Sequence, residues 1–90
     1  MHELLPTSQF RRDVKLAQKR GKDTGLIRTV IENLAQGQTL SPKHKDHPLS
    51  GNYAGFRECH ITPDWLLIYK IEKEILVLSL TRTGTHSELF

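Results

Sequence analysis

Trp65-Leu66-Leu67-Ile68-Tyr69-Lys70-Ile71 is almost unbroken apolar sequence, and Ile75-Leu76-Val77-Leu78-Ser79-Leu80-Thr81 follows after only Glu72-Lys73-Glu74. Runs this short, bounded by turn residues and rich in aliphatic and aromatic side chains, read as strands. Their lack of polar alternation marks them as central strands covered on both faces. Upstream, Tyr53 to Ile61 is a third run, joined to Trp65 by Thr62-Pro63-Asp64. Connections of three residues force antiparallel pairing, so the carboxy-terminal half is predicted to be a three-stranded meander.

Working outward, Glu3-Leu4-Leu5-Pro6-Thr7 reads as a short strand that Pro6 confines to an edge or an end. Thr7 or Ser8 offers an N-cap hydroxyl. Phe10, Val14 and Ala17 then recur at helical spacing, with Arg11, Arg12, Lys15 and Lys19 around the remaining surface. Gly21 to Gly25 is a loop with Asp23 or Thr24 as the next cap. Ile27, Val30, Ile31 and Leu34 follow the i, i+3, i+4, i+7 rule, and Gly37 stands where a helix C-cap glycine belongs. A loop this short makes the helices an antiparallel hairpin. The expected architecture is α+β: a short amino-terminal strand, a helical hairpin and a three-stranded antiparallel meander (β-α-α-β-β-β). Residues 37–52, polar and broken by two prolines, form a long loop whose position the pattern does not define, and loops of this kind are commonly functional.

Ninety residues support one domain, 1–90, since two cores could not both bury enough apolar surface. No apolar run approaches the roughly 18 residues of a membrane span, and Met1-His2-Glu3 is not a basic signal-peptide start. A single cysteine, Cys59, cannot form an internal disulfide, which fits a reducing, cytoplasmic setting. The net charge is +3, and it is uneven: residues 1–47 carry nine Lys/Arg against five acids, the remainder four against five. Such an amino-terminal excess suits either a solvated helix face or a landing surface for phosphates.

In a meander, the end of the first strand, the start of the second and the end of the third share one sheet edge. That edge collects His60, Asp64, Trp65 and Arg82, with His86 four residues further on. Strands about 4.8 Å apart put the outer two roughly 10 Å from each other, a gap long side chains can bridge. The set suits metal-free cleavage of an RNA phosphodiester. Histidine serves as acid or base near neutrality, aspartate orients an imidazole or acts as base, and arginine holds phosphate oxygens with its planar fork. Trp65 or the terminal Phe90 offers a ring on which a base could stack. Taken singly, Asp64 reads as a turn residue, Trp65 as core and Arg82 as a cap on the sheet edge; His2 and His44 read as surface residues. The rival metal reading, from His44-x-x-His47, Cys59-His60 and His86, has no established zinc spacing, and Cys59 and His60 should face opposite sides of one strand.

Three segments carry a family resemblance: Lys45-Asp-His47-Pro-Leu-Ser-Gly51, Gly55-Phe-Arg-Glu-Cys-His60-Ile-Thr-Pro-Asp64-Trp65-Leu-Leu-Ile-Tyr69 and Thr81-Arg82-Thr-Gly-Thr-His86-Ser-Glu-Leu-Phe90. Together with Asp13-Val-Lys-Leu-Ala-Gln-Lys-Arg20, they resemble the YafQ branch of the RelE/ParE toxin superfamily over nearly the whole chain. The resemblance implies the RelE-like fold and a ribosome-dependent mRNA interferase, the toxin half of a bacterial type II toxin–antitoxin pair, acting in the ribosomal A site with no metal or other cofactor. It implies His47, His60, Asp64 and His86 as the catalytic group, Arg82 at the phosphate-contacting position, and Trp65 and Phe90 supporting the site or the RNA. His47 enters the site through the resemblance alone. Expected partners are a cognate antitoxin, the ribosome with its mRNA, and operator DNA reached through the antitoxin. His86 is expected to act as general acid, and either Asp64 or His60 as general base; the sequence is equally compatible with the exchange of these roles. Two other functions share this fold: a ParE-like gyrase poison, which needs no clustered histidines, and an inactive antitoxin-binding co-repressor.

Overall fold

Five strands and three helices account for the chain in a computed structural model that describes residues 1–90. In order they are β1 (Glu3–Pro6), α1 (Ser8–Lys19), α2 (Thr24–Ala35), β2 (His47–Pro48), β3 (Arg57–Thr62), β4 (Trp65–Glu72), β5 (Val77–Gly84) and α3 (His86–Leu89). The sheet runs β1-β5-β4-β3-β2, with β1 parallel to β5 and every other pair antiparallel. The α+β architecture is the expected one, with the amino-terminal strand β1 joining the sheet beside β5 and the two-residue β2 and short α3 added to it.

Local chemistry explains the helix limits. The Thr7 hydroxyl accepts from Phe10 N at 2.9 Å and opens α1, and the Asp23 carboxylate accepts from Gly25 N to open α2. Past α2, Gly37 takes φ +76°, and the N–H groups of Gly37 and Gln38 donate to Leu34 O and Asn33 O, closing the helix as a Schellman turn.

β4 lies at the centre, and Trp65 to Tyr69 are all buried because they alternate between two apolar clusters. One, on the helix side, joins Trp65, Leu67 and Tyr69 to Phe10, Ala17, Ile27, Val30, Leu34, Cys59, Leu78 and Leu80. The other, on the outer face, packs Leu66 and Ile68 against Leu89, with Leu49, Tyr53 and Phe56 around them. No helix is long and apolar enough to cross a membrane.

Three boundaries differ from the sequence expectation. Tyr53 falls in a 3-10 turn (Gly51–Tyr53) and β3 starts at Arg57, because Gly55 at φ +92° interrupts the extended chain. Ile75 and Leu76 are exposed turn residues rather than strand, Leu76 at φ +54°, so β5 begins at Val77. β5 in turn runs on through Arg82 to Gly84, since its pairing with β4 continues to Leu66.

Candidate functional site

Two irregularities flank β4 at the end of the sheet where the polar residues collect. In β3 the pairing steps from His60↔Leu66 to Thr62↔Trp65, leaving Ile61 as an extra residue; in β5 it steps from Leu80↔Tyr69 to Arg82↔Ile68, leaving Thr81 extra. A bulge reverses the inward–outward alternation beyond it. Two cross-strand rows result, His47–Glu58–Ile68–Arg82 and His60–Leu66–Gly84.

His47 and His60 are held in the same way. Each ring donates through Nδ1 to a backbone carbonyl, His47 to Lys45 O at 2.6 Å and His60 to Pro63 O at 3.2 Å. A carbonyl can only accept, so these contacts leave Nε2 of each ring for other partners. Both Nε2 atoms face one carboxylate oxygen, Glu58 Oε1, at 3.5 Å from His47 and 3.8 Å from His60. Glu58 is itself only 5% exposed. This carboxylate escaped the sequence reading, although its spacing of two from His60 on a strand puts both on one face.

α3 delivers the third histidine. Thr85 and Glu88 form a reciprocal capping box, a signal present in Thr85-x-x-Glu88 that the sequence reading passed over. A Cβ at Gly84 would stand 3.3 Å from Glu88 Oε1 and 3.4 Å from Leu89 Cδ2, so the helix folds closely onto the strand here and a side chain would make Glu88 shift by a few tenths of an ångström. Leu89 then inserts between Leu66 and Ile68, and His86 stacks on Phe90 with ring centroids 5.0 Å apart. Phe90, 55% exposed, meets Tyr53 edge-on at 5.6 Å. His60, Asp64 and His86 consequently line one open cleft of about 540 Å3, together with Pro63, Leu66, Thr85 and Ser87. Asp64 is exposed there, one carboxylate oxygen accepting from Thr62 Oγ1 at 3.3 Å.

Two expected site residues lie elsewhere. Trp65 is 1% exposed within the helix-side core, with Lys22 Nζ 5.6 Å above its ring, so it offers no face on which a base can stack. The apolar run that follows it had pointed to core, and burial against α1 and α2 decides the matter. Arg82 is clasped by Asp13 of α1: Nε donates to Oδ2 at 2.8 Å and an Nη to Oδ1 at 3.1 Å. β1 pairs with β5 only from Val77 to Leu80, so the later part of β5 is an open edge that Asp13 can reach. Asp13 also accepts from Thr83 N and from Gln9 Nε2. Burial opposes ionisation of Asp13, but the hydrogen bonds from Arg82, Gln9 and Thr83 outweigh it and hold its pKa below the ordinary value. The Asp13 carboxylate likewise raises the pKa of Arg82.

The long loop, unplaced in the sequence reading, is pinned to β3. His44 donates through Nδ1 to His60 O at 2.7 Å, and β2 pairs His47 with Glu58. Cys59 lies on the helix side of β3, fully buried, and burial pushes its thiol pKa up to about 12; its side chain is on the face opposite to His60, as strand alternation requires. No three His, Cys, Asp or Glu side chains are arranged as a metal-binding group.

Comparison with known proteins agrees with this fold. A family model described as "Bacterial toxin of type II toxin-antitoxin system, YafQ" matches residues 2–90. The mRNA interferase toxin YafQ of Escherichia coli K12 is 44% identical over 85 residues, covering 93% of this chain and 90% of that protein. Among solved structures, a metal-bound toxin from Helicobacter pylori superposes with a TM-score of 0.94 at 48% identity, covering all of both chains. The toxin in an E. coli DinJ–YafQ complex superposes with a TM-score of 0.91 at 41% identity, covering 100% of this chain and 99% of that one. The chain belongs to the YafQ family of bacterial type II toxin–antitoxin toxins.

Proposed function

We propose that the chain is an mRNA interferase, an endoribonuclease that inhibits translation by cutting messages in the ribosomal A site, through acid–base chemistry that needs no metal. The observation that carries this reading is the single open cleft lined by His60, Asp64 and His86, with His47 joined to it through Glu58. Asp64 takes the proton of the RNA 2′-hydroxyl, whose oxygen attacks the adjacent phosphorus. His86 protonates the departing 5′-oxygen, leaving a 2′,3′-cyclic phosphate and a free 5′-hydroxyl. Asp64 suits the base role because its carboxylate stands in the cleft with only Thr62 Oγ1 upon it, whereas Nε2 of His60 is turned to Glu58. His60 and His47 flank the phosphorane, and Glu58 orients both rings. Phe90 is the platform for a base, and Trp65 supports the cleft from the core beneath. Arg82 reaches phosphate in this scheme only by exchanging Asp13 for a phosphate oxygen.

The ribosome supplies the substrate positioning that a 90-residue domain lacks, so cleavage of free RNA is expected to be poor. The partner that restrains the toxin is a cognate antitoxin, as in the DinJ–YafQ complex of the E. coli relative, and operator DNA is reached through that antitoxin. Translated mRNA as substrate sets the working compartment as the cytoplasm. Mapping mRNA 5′ ends in cells expressing the protein tests the reading. Codon-phased cuts on translated messages are expected. DNA breaks without mRNA cuts would mark a ParE-like gyrase poison, and neither lesion would mark an antitoxin-binding co-repressor.

Glu58→Gln separates orientation from proton transfer. The side chain keeps its shape but loses the charge that both Nε2 atoms face, and cleavage is expected to fall on the order of a hundredfold. Circular dichroism should show the fold retained. Unchanged cleavage by the folded variant would remove Glu58 from the site.

A further inference from the structure

One half-buried polar cluster plays no part in the chemistry above. It lies on the helix side of the sheet, behind the histidines. There the Asp46 carboxylate accepts from the Tyr69 hydroxyl and from Arg57, whose Nε and one Nη lie 3.3 Å from Oδ1 and Oδ2 respectively. Tyr69 sits 1% exposed in the middle of β4, and Arg57 opens β3 opposite it, so both donors stand on paired strands of the sheet. Asp46 belongs to the long loop, and the next residue is His47.

Elsewhere the loop is held by His44 Nδ1 to His60 O at 2.7 Å and by Leu49 N to Phe56 O at 2.9 Å, and neither contact orients the backbone between Lys45 and His47. β2 is two residues long, too short to fix a register by its own pairing. Lys45, immediately before Asp46, occupies the left-handed region at φ +47°, a conformation that is unfavourable for a residue with a side chain and persists where neighbours impose it. Successive residues of an extended chain point to opposite faces. Drawing Asp46 inward to Tyr69 and Arg57 therefore turns His47 outward, where it meets Glu58. Burial first, and then the Asp46 carboxylate, raise the pKa of the Tyr69 hydroxyl, keeping it a donor to Asp46.

We propose that Asp46 is a positioning residue for the cleavage reaction: the Tyr69–Asp46–Arg57 clasp on the helix side of the sheet sets where His47 stands on the outer face. The proposal rests on the ribonuclease reading of the His47–Glu58–His60 set. It assigns to the loop a purpose that its composition does not show, the carrying of one imidazole to the edge of a site built by other elements.

Two variants of the full chain test it. Tyr69→Phe removes one hydroxyl and leaves the ring in the core. Asp46→Asn keeps the side-chain shape and removes the charge. One readout is kcat and KM for cleavage of ribosome-bound message. The other is the NMR signal set of the His47 ring nitrogens, recorded without RNA. Both variants are expected to lower kcat, Asp46→Asn by roughly ten- to a hundredfold and Tyr69→Phe by less, with KM within about twofold of wild type. The His47 ring signals should move while those of His86 stay in place. Should Asp46→Asn fail to fold, Tyr69→Phe carries the same two readouts. Unmoved His47 signals in a folded clasp variant, or loss of thermal stability with kcat intact, would overturn the clasp. A His47→Ala variant that cleaves at the wild-type rate would instead overturn the site reading and the kinetic half of the proposal, and the ring signals would still decide whether the clasp holds His47.

Discussion

Replacing His86 with alanine is expected to abolish growth arrest and lower mRNA cleavage by about 10²- to 10⁴-fold, the range over which one positioned proton donor accelerates such a reaction. The substitution should leave the fold untouched. His86 is exposed, and α3 is capped by Thr85 and Glu88 and anchored by Leu89 rather than by the imidazole. What is lost is the proton for the 5′-oxygen and the stacking of the ring on Phe90. Antitoxin binding, measured by co-purification, should be retained. Toxicity comparable with wild type in this variant would sink the assignment of His86 as acid and with it the direction of proton flow through the cleft.

Replacing Asp13 with alanine is expected to produce the largest change in stability, about 2–4 kcal/mol in urea unfolding at pH 7. Three donors converge on this carboxylate: the Arg82 guanidinium, Thr83 N and Gln9 Nε2. Its removal leaves the Thr83 N–H unsatisfied in a buried position and Arg82 without its counter-ion. The Arg82 side chain is 27% exposed, so water recovers part of its loss and the figure stays below that of a fully buried pair. The pH dependence has a definite sign. The folded-state pKa of Asp13 is depressed below the ordinary 3.8, so its contribution is fully present above that value and is lost as pH falls through the folded pKa. The wild type should therefore lose stability below about pH 4 more steeply than Asp13→Ala. Parallel acid profiles for the two proteins would show that the clasp between α1 and β5 carries no charge-dependent stability.

The residues that escaped the sequence reading share a property. Asp13, Asp46 and Glu58 are carboxylates whose partners lie far along the chain: Arg82 for Asp13, Tyr69 and Arg57 for Asp46, His47 and His60 for Glu58. Asp13 falls on the apolar stripe of α1 with Phe10, Val14 and Ala17, which is the only local hint that it faces inward. Hydrophobic periodicity records which face is buried, and says nothing of which polar group waits on the other side. Arg82 shows the same limit in reverse. Strict alternation would have put it on the face of Leu78 and Leu80, and the extra residue Thr81 reverses its parity.

The sequence alone determined the two helices, because apolar spacing and capping residues act within a few positions of each other. It determined the meander, because connections this short leave no other pairing. It also brought His60, Asp64 and the start of the segment that carries His86 to one sheet edge, because antiparallel connectivity does so, while the packing of Leu89 folds α3 back onto the sheet. Tertiary structure alone decided that α1 and α2 close Trp65 off from any stacking base, that Arg82 is held by Asp13, and that the loop brings His47 to Glu58. Each of these depends on a bulge, a clasp or a pairing between segments distant in sequence, where the free energy belongs to a contact and not to any stretch of residues read along the chain.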